Sequence, residues 1–182
     1  RRPPRSTLFT YTTLFRSTLY VTHDQEEAMS ITDEIVLMDK GFYQQKGTPQ
    51  DTYKNPINKF VAEFMGNPPI NIFNGEIKNS GVLVNGKVVG NIPGVADQAV
   101  YVGIRPEGFY PAEGGIEMAI SFIEVIGKDK IIDFELDGAP ARAIADISVP
   151  YNTGDKLSLR VKPDSLFIFE KGSGLRLKGT GN

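Results

Sequence analysis

The sequence predicts a chain in two parts: an α/β segment first, then a small all-β barrel or sandwich. Three observations lead there. Strand-like apolar runs alternate with capped helical segments over residues 18–65. From residue 71 onward short β-branched runs dominate. Between those runs stand the two-residue turn dipeptides Asn85-Gly86 and Asp137-Gly138. The chain has 182 residues, 40% apolar and 23% charged, which is an ordinary soluble composition and enough length for one domain or two small ones. No run approaches the roughly 18 apolar residues of a membrane-crossing helix, and no signal-peptide pattern occurs. The absence of cysteine excludes disulfides and thiolate metal sites, and a single histidine, His23, excludes a multi-histidine metal centre within one chain. A formal charge of −2 gives no support for nucleic-acid binding.

In the first part, Thr18, Leu19, Tyr20 and Val21 read as a buried strand. Asp24 is a good N-cap, and Gln25, Glu26 and Glu27 put polar and acidic groups in the first helical turn, where the dipole favours negative charge. Residues 34–39 read as a second strand, Lys40-Gly41 as a tight turn, and 42–46 as its hairpin partner. Thr48 caps a helix with Pro49 in its first turn, and Asn55-Pro56 repeats the device for a helix over 57–65. Phe60, Val61, Phe64 and Met65 fall at helical spacing, with Gly66 at the end. Met29, Ile35, Val36, Leu37 and Phe60 read as core.

In the second part the predicted strands are 72–77, 82–84, 87–89, 99–104, 119–125, 130–136, 141–145, 156–161 and 166–169. Tyr101, Phe109, Tyr110, Phe122, Phe134, Phe167 and Phe169 fall mostly within this pattern and read as core. The glycine-rich tail, with Gly172, Gly174, Gly179 and Gly181, is expected to fray.

Residues 1–17 stand apart. They carry four arginines and no acid, and a near-duplicated Ser/Thr-Thr-Leu-Phe element. Without them the chain has 16 basic residues (20 − 4) and 22 acidic ones, a net charge of −6. The stretch resembles translated sequencing-adapter DNA, and the expectation is a non-native or disordered leader.

His23 sits between the strand-like residues 18–21 and the capped helix, at a strand's carboxyl end, where open α/β sheets place ligands. A lone histidine there is more often a capping or surface residue than a catalytic one. The string around it is more specific. Tyr-Val-Thr-His-Asp-Gln-Glu-Glu-Ala-Met (residues 20–29), followed by Asp-Glu-Ile-Val-Leu-Met-Asp-Lys-Gly (33–41), resembles the H-loop region of ATP-binding cassette (ABC) ATPases, in particular the subunits that drive carbohydrate importers of the maltose and glycerol-3-phosphate type. Residues 47–71 are similar to the end of that cassette. Residues 102–109 and 157–174 resemble segments of the oligonucleotide-binding-like (OB-like, TOBE) regulatory domain that follows it.

The resemblance implies an α/β remnant of an ABC ATPase cassette over residues 18–67 and an all-β OB-like regulatory domain over 68–182. It implies that His23 contacts the γ-phosphate of ATP, with magnesium, in an intact parent. It also implies membrane permease subunits and a second ATPase subunit (a homodimer) as partners, a regulatory protein or small ligand at the C-terminal domain, and a place on the cytoplasmic face of the membrane. Two positions depart from the family: Thr32-Asp33-Glu34 stands where Ala-Asp-Arg is usual, and Gly108 where histidine is usual. Arg105 and Glu107, flanking Pro106, read as a structural ion pair ahead of a ligand contact.

No Gly-x-x-x-x-Gly-Lys-Ser/Thr loop occurs in the 182 residues, nor the family's signature, glutamine loop or Walker B acids. Phosphoryl transfer depends on that whole set. The expectation is therefore a truncated ATP-hydrolysing subunit that binds no ATP by itself, with residues 18–39 mobile or aggregation-prone for want of neighbours. A non-catalytic regulatory or dimerisation module, or a β-barrel that binds a small ligand, is the alternative.

Overall fold

The structure is a computed structural model that describes residues 18–136 and 138–180. It opens not on a strand but on unpaired chain. Residues 18–22 form no strand, and Leu19 and Val21 are fully open to solvent, so the buried strand expected there is absent. The cause is pairing: among the described residues nothing lies alongside to take its backbone groups, and β-propensity alone does not make a strand.

The helix that follows, α1 (Gln25–Ile31), is capped as its sequence dictates, the Asp24 carboxylate accepting from Glu26 N–H at 2.8 Å and Glu27 N–H at 3.2 Å. Next comes the hairpin β1 (Ile35–Asp39) and β2 (Phe42–Gly47). Lys40 at φ 48° and Gly41 at φ 85° are both left-handed, as a two-residue turn of this hand requires. α2 (Pro49–Lys54) is capped by Thr48 and α3 (Lys59–Phe64) by Asn58. The second cap therefore lies three residues later than Asn55, which instead closes α2. Asn55 and Ile57 are tied to the buried Gln45 of β2, whose amide donates to the Asn55 carbonyl and accepts from Ile57 N–H, and that grip delays the helix.

Ile35 and Leu37 pack with Val61 and Met65, and with Ala28, Tyr53 and Phe60 at the margin. Among the described residues only one face of the hairpin is covered, so Val36, expected in the core, is exposed; Met29, also expected there, is exposed on α1, which has no buried residue. Glu34, at a position where the family usually has a base, pairs with Lys46 across the hairpin at 3.0 Å.

The remainder is all-β. A six-stranded antiparallel sheet has the order β12-β11-β6-β3-β4-β5, from β3 (Asn71–Lys78), β4 (Gly81–Val84), β5 (Lys87–Asn91), β6 (Gln98–Ile104), β11 (Leu166–Glu170) and β12 (Arg176–Leu177). A four-stranded sheet has the order β10-β7-β8-β9, from β7 (Phe109–Ile126), β8 (Asp129–Leu136), β9 (Ala139–Asp146) and β10 (Lys156–Val161). One apolar core fills the space between them, with Val100, Val102 and Ile104 from one side and Ile120, Ile132 and Phe134 from the other. The Phe109 and Phe134 rings meet edge to face at 5.4 Å. The architecture is OB-like, as expected.

β7 is much longer than the predicted 119–125. Its first half pairs with β10 and its second with β8, and the register jump opposite Ser158 and Leu159 accommodates Pro111 and the Gly114-Gly115 pair. Asp137 of the predicted Asp-Gly turn lies outside the described residues. Of the seven aromatics expected in the core, Phe109, Phe134, Phe167 and Phe169 are buried. Tyr101 is half-buried, and Tyr110 and Phe122 are exposed because they stand on the outer face of β7.

The tail does not fray up to residue 180. β12 pairs with β11, Arg176 N–H donates to the Ile57 carbonyl at 2.9 Å, and Lys59 N–H donates to the Gly174 carbonyl at 2.8 Å. The tail thereby supplies the acceptor that a first-turn N–H of α3 needs. On α3 itself, Val61 packs toward the hairpin cluster while Ala62 packs against Ile70, Phe167 and Phe169 of the barrel.

Candidate functional site

The site begins at the bend where the unpaired chain turns into α1. Thr22 Oγ1 accepts from Asp24 N–H at 2.9 Å and donates to Glu27 Oε2 at 3.1 Å, and Tyr20 Oη donates to the same carboxylate oxygen at 3.1 Å. That hydrogen bond pushes the Tyr20 phenol up from its ordinary range. Glu27 thus pins the two residues on one side of the bend, and Asp24 caps the helix on the other. Between them His23 is exposed and has no hydrogen-bond partner among the described residues. Among the described residues nothing covers its imidazole.

One imidazole does not make a phosphate site. Among the described residues no group of three His, Cys, Asp or Glu side chains is placed to hold a metal ion. A cleft of about 740 Å³ lies elsewhere, between the start of β3 and β7–β9, walled by Asn71, Ser121, Asp133, Phe134 and Arg142.

What α1 does touch is the end of α3. Gln25 Oε1 accepts from Gly66 N–H at 2.6 Å, Gln25 Nε2 donates to the Gly66 carbonyl at 3.2 Å, and Asn67 Nδ2 donates to Glu26 Oε1 at 2.5 Å. Directly behind Gly66 stands Arg105, only 1% exposed. Its Nη1 donates to the carbonyls of Ala62, at 3.0 Å, and Met65; its Nη2 donates to the Tyr53 carbonyl at 2.9 Å. The guanidinium also lies 3.9 Å above the Tyr53 ring. Burial lowers the Arg105 pKa from its ordinary value, opposed by Tyr53 and Glu107.

Arg105 and Glu107 are therefore not the ion pair expected of them. Glu107 instead accepts from Tyr53 Oη at 2.5 Å, so both side chains of the Arg-Pro-Glu turn close on Tyr53. The acceptors for Arg105 are carbonyls at the ends of α2 and α3, which carry partial negative charge and lack helix partners. At Gly108 a Cβ would lie 2.4 Å from Ser165 Cβ, so the backbone approach that fits here leaves no room for a histidine.

Sequence reasoning located His23, Arg105 and Glu107 but missed Tyr53, Gln25 and Gly66. In the sequence Gly66 showed only as a glycine ending a helix; the structure gives it φ 121°, a conformation that glycine allows and that here serves a close approach.

Comparison with known proteins matches the sequence-based resemblance. No protein-family model matches the chain. It is 34% identical over 167 residues to the sn-glycerol-3-phosphate import ATP-binding protein of Jannaschia sp., covering 87% of this chain and 46% of that protein. It is 34% identical over 173 residues to the protein of the same name from Pectobacterium atrosepticum, covering 89% and 48%. The corresponding figures for the one from Cupriavidus pinatubonensis are 31% over 182 residues, 89% and 49%. The chain is related to these import ATP-binding proteins through their C-terminal portion, and it spans about half of their length.

Proposed function

We propose that this chain is the C-terminal part of an ATP-binding subunit of an ABC importer for a carbohydrate or glycerol 3-phosphate. Residues 18–67 would be the end of the nucleotide-binding cassette and 68–182 its OB-like regulatory domain. The observation that carries the reading is the bend at His23, where an exposed imidazole with no hydrogen-bond partner among the described residues stands between a capped helix on one side and a pinned chain on the other. In the intact subunit that imidazole would contact the γ-phosphate of ATP. The residues of this chain do not by themselves fit a magnesium–ATP complex, since they include no phosphate-cradling loop and no metal-holding group among those described. No step of hydrolysis is assigned to them beyond the His23 contact. Permease subunits, a second ATPase subunit and a cytoplasmic, membrane-peripheral place belong to the same proposal. So does a non-native origin for residues 1–17, which reading the genomic DNA upstream of the Thr18 codon tests directly.

The function is tested in a hybrid that joins residues 18–182 to the N-terminal part of the Jannaschia relative. The hybrid is expected to hydrolyse ATP, and His23→Ala is expected to lower the rate about 100-fold or more, the usual cost of losing one preorganised group at a developing charge. Unchanged hydrolysis in His23→Ala would overturn the assignment. The 182-residue chain alone is expected to give no heat on titration with ATP, and micromolar affinity would contradict the reading.

A further inference from the structure

α1 has little to locate it from within. It has seven residues, none of them buried, and is far shorter than the roughly 12–15 residues at which an isolated helix becomes marginally stable. Its anchor is external. The peptide at Gly66 is gripped on one side by Gln25, through both its N–H and its carbonyl. On the other side it is pressed against the barrel's Arg-Pro-Glu turn. A Cβ on Gly66 would lie 2.8 Å from the Tyr53 ring and 3.1 Å from Arg105 Nη1, and Arg105 itself holds the carbonyl of the preceding Met65. Gln25 is the first residue of α1 and stands two positions after His23.

We propose that Arg105 is a positioning residue for His23. By fixing residues 65–67 it sets where α1 begins, and so where the imidazole stands relative to the barrel. The inference takes its functional meaning from the reading of His23 as a phosphate contact. Its positional content, however, is tested without any nucleotide.

His23 is the sole histidine, so its ring carbon and proton resonances are unambiguous in the isotope-labelled full chain. Arg105→Lys keeps the charge but not the three-way hydrogen bonding. Tyr53→Phe removes one hydroxyl, Gln25→Ala cuts the link at its far end, and Asp133→Asn, at the distant pair with Arg142, is the control. Arg105→Lys and Gln25→Ala are both expected to shift the His23 ring resonances. Both should raise amide exchange at Ala28, whose N–H bonds Asp24, about fivefold, the effect of one net hydrogen bond. Val100 and Val102 in the barrel stay protected, Asp133→Asn does nothing, and the two variants combined do no more than the stronger one. If Arg105→Lys does not fold, Tyr53→Phe carries the same expectation.

An unmoved His23 ring in both Arg105→Lys and Tyr53→Phe overturns the proposal. Equal loosening of barrel and α1 also overturns it, since Arg105 would then serve stability alone. Failure of the phosphate reading shows separately, as unchanged hydrolysis in the His23→Ala hybrid with this link intact.

Discussion

Arg105 and Tyr53 hold each other in two ways, the guanidinium 3.9 Å above the phenol ring while its Nη2 donates to the Tyr53 carbonyl at 2.9 Å. Truncating Arg105 leaves the carbonyls of Ala62, Met65 and Tyr53 without their donor in a buried place. Each such orphan costs about 1–3 kcal/mol, part of it relieved by entering water. Arg105→Ala is therefore expected to lower stability by about 3–5 kcal/mol in urea unfolding. Glu107→Gln, which keeps an acceptor for Tyr53 Oη, should cost about 1 kcal/mol. Equal losses for the two would mean that the charge of Glu107, not the carbonyl cluster, supports Arg105.

Tyr53 gives the alkaline limb of stability a specific source. Burial first, and its hydrogen bond to Glu107 second, push the phenol above its ordinary value of 10.0, with Arg105 pulling the other way. A folded value above the unfolded one means that the protonated phenol favours the native state. That stabilisation is complete below about pH 10 and is lost as pH rises through the higher folded value. Urea unfolding across this range should show stability falling as pH climbs past 10, and the fall should be shallower in Tyr53→Phe. In a tyrosinate absorbance titration Tyr53 should ionise late among the seven tyrosines. Identical alkaline slopes in the parent chain and Tyr53→Phe would contradict this.

Asn71 joins the two sheets. Its Nδ2 donates to the carbonyls of Ile104 and Arg142, both at 2.9 Å, and its Oδ1 accepts from Arg142 N–H at 2.7 Å. The side chain is buried at the start of β3 and fully used. Asn71→Asp is expected to be worse than Asn71→Ala, because it sets a carboxylate against two carbonyls that had been accepting from an amide. The alanine variant should cost about 2–4 kcal/mol, for the three bonds lost and the groups left unpaired. If the aspartate is as stable as the parent chain, the amide is not oriented as described.

The parts of this structure legible in the sequence are those decided locally. The Lys40-Gly41 and Asn85-Gly86 turns, the Asp24 and Thr48 caps and most of the short strands follow from residues within a few positions of one another. What could not be read was set by distant partners. Residues 18–21 have the propensity of a strand but no described neighbour to pair with. The delayed cap at Asn58 depends on Gln45, and the ordered tail depends on the first turn of α3. Of the site, the His23 string was specific enough to point to a family. The ties through Gln25, Gly66 and Tyr53 span 41 and 54 residues of chain and leave no local pattern.

At Gly115 in β7 the backbone of the neighbouring strand leaves no space for a side chain. A Cβ on Gly115 would lie 2.2 Å from the Leu159 carbonyl oxygen and 2.5 Å from its carbon, both backbone atoms of the paired strand β10. No rotamer change relieves such a contact; the strands have to part. Gly115 N–H also donates to Ser158 Oγ at 2.9 Å, so movement there costs a hydrogen bond as well. Gly115→Ala is expected to destabilise by about 2–3 kcal/mol, at the upper end of overpacking effects. Gly172→Ala, with open space around its Cβ, should be within about 0.5 kcal/mol of the parent chain. Thermal unfolding followed by circular dichroism separates the two, and a neutral Gly115→Ala would show that β7 and β10 are not in the register that brings Leu159 opposite Pro111.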